Sequence, residues 1–209
     1  MQVKSKNYNQ YIIFLSSIVY FIIWIQFANS FDPIKPDSNG YLYFFDGTGA
    51  GNFRPSGYPI FLFLLSSLKL SINYIAYFQL GFFVFAIYFL MNSLVKYGLS
   101  KKIVFLLYLS LILNPFFNQF HFMILTESLS FSLLFIFLGL SLSLYQKIVT
   151  TKIIMLGTII GFLAIIKPVS IIFLPIGLIF LIFLLRIFGK GSFKKIILCS
   201  ILLFTPFFV

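Results

Sequence analysis

In 209 residues the chain carries 31 phenylalanines, 61% hydrophobic residues and only 9% charged ones, with a formal net charge of +11. Soluble folds need a polar shell that this composition cannot supply, so a soluble globular domain is excluded. The positive balance belongs with basic residues that orient membrane helices rather than with nucleic acid. A single cysteine, Cys199, excludes a disulfide framework and a cysteine metal site.

The fold class that remains is an all-α polytopic membrane protein, because several apolar runs approach the roughly 20 residues that cross a bilayer as a helix. The first run, residues 11–28, follows Lys4 and Lys6 and has no small-residue cleavage pattern behind it, which predicts an uncleaved signal anchor. An outer loop over residues 29–71 comes next. Its apolar segment 58–70 has 13 residues, about 20 Å of helix, which falls short of a hydrocarbon core of about 30 Å. Ser66, Ser67 and Lys69 make it more polar still, so it is read as an interfacial or re-entrant helix.

Crossings are predicted at 72–95, 103–120 and 128–145. Residues 153–185 are too many for one span and few for two; Lys167-Pro168 divides them into short helices over 153–166 and 169–185. The run 196–209 begins a further crossing and stops inside it. Residues 1–209 are therefore read as a single membrane-embedded domain of about six to seven transmembrane helices, the N-terminal portion of a longer protein.

With the N-terminus inside, 11 of the 15 basic residues fall on the inner side; only Lys35, Arg54, Lys69 and Lys167 fall outside. This follows the positive-inside tendency and points to a bacterial plasma membrane with a cytoplasmic N-terminus. All four acids, Asp32, Asp37, Asp46 and Glu127, then lie at the outer side or its membrane boundary. Ionisable residues at membrane level are functional candidates by default, and a carboxylate among cations can act as a general base or metal ligand.

Three blocks of sequence gather those candidates. The first is Asp37-Ser38-Asn39-Gly40-Tyr41 followed by Arg54-Pro55-Ser56-Gly57-Tyr58-Pro59. The second is Asn114-Pro115, then His121 and Leu125-Thr126-Glu127-Ser128-Leu129. The third is Gly157, then Gly161-Phe162-Leu163-Ala164, Lys167-Pro168 and Pro175. Each residue alone has a plainer alternative. Asp37 suits a turn or helix cap, Glu127 a first helical turn, Arg54 a lipid headgroup and Lys167 a snorkelling position. Asp32 before Pro33 and Asp46 before Gly47 read as turn residues, and Gly47-Thr48-Gly49-Ala50-Gly51 as a flexible loop without nucleotide-loop spacing.

In this order and at these topological places, the blocks resemble GT-C-type membrane glycosyltransferases, among them the protein O-mannosyltransferase and aminoarabinose-transferase group. The resemblance runs from about Asp37 to Pro175, with Lys-Pro where the family commonly has Arg-Pro. It implies transfer of a sugar from a polyprenyl-phosphate donor to a lipid, glycan or protein acceptor on the extracytoplasmic face. It implies Asp37 as catalytic base or acceptor-positioning acid, and Glu127 near the donor or a divalent metal ion. Asp37, Glu127 and, more weakly, His121 would be the metal ligands. Arg54 and Lys167 would meet the lipid phosphate, with Tyr41 and Tyr58 among the substrate contacts. Two other readings stand beside it: a lipid-linked glycan transporter or flippase, and an inactive membrane fragment.

Overall fold

A computed structural model of the chain describes residues 5–27, 36–38, 40–41 and 55–187. Among them the regular elements are all helical. The predicted run 196–209 and the residues Asp32, Lys35, Asp46 and Arg54 lie outside the described residues.

Helix α1, Ser5–Phe27, opens the chain. A short 3-10 turn, Pro36–Ser38, precedes α2, Gly57–Ser67, whose 11 residues are too few to cross a membrane. Helix α3, Asn73–Tyr97, stops at Gly98, whose φ of 109° places it in the left-handed region that a glycine adopts without a Cβ clash. Its N–H donates to the carbonyls of Leu94 and Val95, at 3.2 and 3.1 Å, and closes the last turn. Helix α4, Lys101–Ile112, follows immediately.

The sequence predicts one straight crossing over 103–120, and here the structure differs. Helix α4 ends at Ile112, a seven-residue helix α5, Pro115–His121, begins after it, and the two axes differ by 53°. Pro115 causes the break, since it has no N–H to give the preceding turn and its ring crowds the backbone there. The freed polar groups are met locally. Asn114 Oδ1 accepts from the N–H of Phe116 at 2.9 Å, and Asn118 Nδ2 donates to the carbonyl of Ile112 at 3.0 Å. The Tyr20 hydroxyl donates to Asn118 Oδ1 and ties α1 to the break. In an apolar medium such groups have no water to fall back on, so each partner matters.

Helix α6, Glu127–Gln146, α7, Thr150–Ile166, a 3-10 segment, Pro168–Ile172, and α8, Phe173–Ile187, complete the order. Lys167-Pro168 divides the last apolar stretch as the sequence predicts. Among the described residues two helices, α3 and α6, are long and apolar enough to span a membrane, or three when the bent α4–α5 pair counts as one span. That is fewer than the six to seven crossings predicted. The apolar stretches 57–67, 150–166 and 168–184 are each shorter than a full bilayer crossing, because prolines and polar turns cut them, whereas the apolar stretch 11–26 lies within the 23-residue α1.

Helices α3 and α6 run parallel at the centre of the bundle. At one end Tyr97 meets Tyr145 edge-on, with ring centroids 5.3 Å apart; at the other, Gln79 Nε2 donates to the carbonyls of His121 and Met123 just ahead of α6, both at 3.0 Å. Gly139 permits their close approach, since a Cβ there would lie 2.7 Å from the Phe89 ring. Phe83, Tyr108, Leu144, Leu156 and Ile160 form the core between α3, α4, α6 and α7. Lys152 Nζ donates to the carbonyl of Ser143 at 3.1 Å and to its hydroxyl, placing a cation on the carbonyl-rich end of α6. These contacts collect Lys96, Lys101, Lys102, Lys147 and Lys152 at one end of the bundle. Glu127 and Lys167 lie at the other.

Candidate functional site

The first loop reaches the Glu127 end through Gly57. A Cβ on that residue would sit 2.8 Å from the backbone carbon of Ile165 and 2.8 Å from Ile166 Cγ1, so the start of α2 rests directly on the end of α7. This seats the next residue, Tyr58, with none of its surface exposed. Its hydroxyl donates to Gln79 Oε1 at 3.2 Å, and the Tyr41 ring meets it edge-on at 5.0 Å. Burial first, then the neighbouring Tyr41 and Glu127, push the Tyr58 phenol well above its ordinary pKa and keep it a neutral donor. The two aromatic residues of the loop motifs are thus core groups that join the loop segments, and they present little surface to a substrate.

Glu127 stands in the first turn of α6, where the helix dipole favours a carboxylate. Its Oε1 lies 3.1 Å from Lys167 Nζ, and its Oε2 accepts from the Thr126 hydroxyl at 3.3 Å. Lys167 has extended backbone (φ −140°, ψ 99°) between α7 and the 3-10 segment, held by N–H donation to the carbonyl of Leu163 at 2.8 Å. Pro168 ends α7 there and turns the lysine toward α6. The pair is 41% exposed at Lys167 and 26% at Glu127, so a ligand can reach it. A cation at membrane depth is costly without a counter-charge, and Glu127 supplies one.

Beside the pair lies an apolar groove of about 370 Å³, lined by Gly57, Phe61, Phe82, Leu129, Leu133 and Ile166 among others. Ile166 immediately precedes Lys167, and Leu129 is two residues after Glu127. A part-exposed ammonium whose chain neighbour lines a hydrocarbon trough can take an anionic head whose tail stays in lipid.

His121 is placed differently. It is fully buried, its Nδ1 is 2.8 Å from Ser128 Oγ, and its ring lies against Phe83 with centroids 4.2 Å apart. Its Nε2 has no hydrogen-bond partner among the described residues. Asp37 is exposed in its 3-10 turn, four residues before Tyr41, and Ser38 beside it is buried. Among the described residues no group of three or more His, Cys, Asp or Glu could hold a metal ion. Glu127 gives both oxygens to Lys167 and Thr126, and His121 gives Nδ1 to Ser128.

Of the predicted residues, Tyr41, Tyr58, Glu127 and Lys167 are drawn into one neighbourhood, with His121 in the layer beneath. Sequence reasoning missed Gln79, which bridges Tyr58 to the connection ahead of α6. Its signal was present, a lone amide inside the apolar run Phe78-Gln79-Leu80-Gly81-Phe82. Comparisons with protein-family models, with curated proteins and with solved structures find no match for this chain.

Proposed function

We propose that this chain is a membrane glycosyltransferase that moves a sugar from a polyprenyl-phosphate donor to an acceptor hydroxyl outside the cytoplasm. The observation that carries the reading is the partly exposed Lys167–Glu127 pair, 3.1 Å apart, whose chain neighbours Ile166 and Leu129 line the apolar groove. A lipid phosphate needs both features at once: a fixed cation for its head and hydrocarbon for its tail. The lysine-rich end faces the cytoplasm of a bacterial cell by the positive-inside tendency, and the Glu127 end faces out. Six to seven crossings complete the bundle in this reading, with the shorter helices α7 and α8 crossing a membrane locally thinned around them.

In the reaction the acceptor oxygen attacks the anomeric carbon, and the bond from that carbon to the phosphate oxygen breaks. The acceptor proton passes to the Asp37 carboxylate, and the leaving electron pair goes to the lipid phosphate. Lys167, and Arg54 from the same loop as Asp37, stabilise that growing charge. Glu127 orients Lys167, while Tyr41, Tyr58 and Gln79 hold the loop that carries Asp37. The broken helices at Asn114-Pro115 and Lys167-Pro168 favour a second reading, a transporter of lipid-linked glycans, since such breaks form binding sites in transporters.

The test is to reconstitute the chain in vesicles holding a radiolabelled polyprenyl-phosphate sugar together with hydroxyl-bearing lipid, glycan and peptide acceptors. The account predicts release of free polyprenyl phosphate, an approximately hundredfold or larger loss in Asp37→Asn, and an approximately tenfold loss in Lys167→Met that Lys167→Arg partly restores. Because an exposed ion pair is worth only about 0–1 kcal/mol, Lys167→Met leaves thermal stability nearly unchanged. Labelled donor that crosses the bilayer intact, with no bond cleaved, gives the site to the transporter.

A further inference from the structure

The lysine-rich end carries a second groove, independent of the site above. It lies between α1, α3 and α4, has a volume of about 190 Å³, and is walled by Ile12, Ile13, Val95 and Phe105 with Lys101 and Lys102 at its mouth. Ile13 and Val95 form its buried floor, while Ile12 and Phe105 are part-exposed walls. Lys102 is exposed and Lys101 half-buried. Lys96, exposed in the last turn of α3, stands five residues before Lys101, across the Gly98 turn. Three like charges on seven residues make this end attractive to an anion.

We propose that this groove binds an anionic phospholipid of the leaflet at the lysine-rich end. One acyl chain lies along Ile12, Ile13, Val95 and Phe105, and the phosphate sits between Lys101 and Lys102. The occupant follows from charge and shape together. A zwitterionic lipid would bring its own cation to the lysines, a soluble anion would leave the hydrocarbon floor unfilled, and a basic peptide would be repelled. Basic pockets between membrane helices are suited to such headgroups, and the attraction is worth roughly fivefold in affinity per lysine.

The test is native mass spectrometry of the purified chain in neutral detergent, titrated with dioleoyl phosphatidylglycerol and, in parallel, with dioleoyl phosphatidylcholine. The proposal predicts one saturable phosphatidylglycerol site, retained at least tenfold better than phosphatidylcholine. Retention falls at least tenfold in the K101Q/K102Q double variant and also in Ile12→Trp, which fills the groove from its exposed wall. Lys147→Gln, at the same end but outside the groove, leaves it unchanged. Circular dichroism of each variant confirms the helical fold. Equal retention of the two lipids, or equal loss in Lys147→Gln, overturns the proposal. So does a dimer that shields Lys102 from amine labelling, because the groove then belongs to a second copy.

Discussion

Gly57 shows how one absent side chain can place a loop. Its Cα rests against the backbone of Ile165, and a methyl group there would lie 2.8 Å from atoms that cannot all move aside. Gly57→Ala is therefore expected to destabilise the chain by about 1–3 kcal/mol, as overpacking does, and to lift Tyr58 off Gln79. Thermal unfolding in detergent measures it, with Gly81→Ala as the comparison. A Cβ at Gly81 meets only the Phe21 ring at 3.5 Å, an ordinary contact, so that variant is expected to stay within about 0.5 kcal/mol of the parent. Equal losses in the two would deny Gly57 its placing role. The glycine, the tyrosine after it and the distant Lys167-Pro168 all stand out in the sequence. Their contact does not, because nothing in a one-dimensional pattern joins residue 57 to residue 165. Tyr58 illustrates the same gap: by composition it is an interfacial aromatic, and only the packing makes it a buried hydrogen-bond donor.

At the scale of elements, the sequence located most helices because apolar runs and their terminators are local features. Pro168 ended α7 at the predicted place, Gly98 ended α3, and α2 formed where an interfacial helix was expected. The run 103–120 misled because its apolar flanks outweigh Asn114-Pro115, a local helix breaker visible in the sequence, while the backbone groups freed there find a more distant partner. Asn118 is that partner, bonded to the Ile112 carbonyl and to Tyr20 from another helix. Replacing Asn118 with Leu is expected to cost about 1–3 kcal/mol, since it leaves buried polar groups unmade. Tyr20→Phe is expected to cost less. The double variant should be coupled to the single ones by about 0.5 kcal/mol or more, as residues in one network are. Strictly additive losses in a double-mutant cycle would mean that the two side chains support the break separately.

For the whole molecule, the central claim is that distant segments bring an exposed acidic turn and the Lys167–Glu127 pair to one end, with the lysine-rich end opposite. Charge asymmetry made that division legible in the sequence, whereas apolar composition does not reveal where turns divide the helices, and the described residues hold two or three full-length spans against the six to seven expected. Cysteine labelling tests the claim most directly. In a Cys199→Ser background, single cysteines are placed at Asp37, Lys167 and Lys102 and treated with a membrane-impermeant maleimide in right-side-out and in inverted vesicles. The account predicts that positions 37 and 167 react in right-side-out vesicles, and position 102 in inverted ones. Reaction of 37 and 167 from opposite faces would contradict it, because no shared site could then exist.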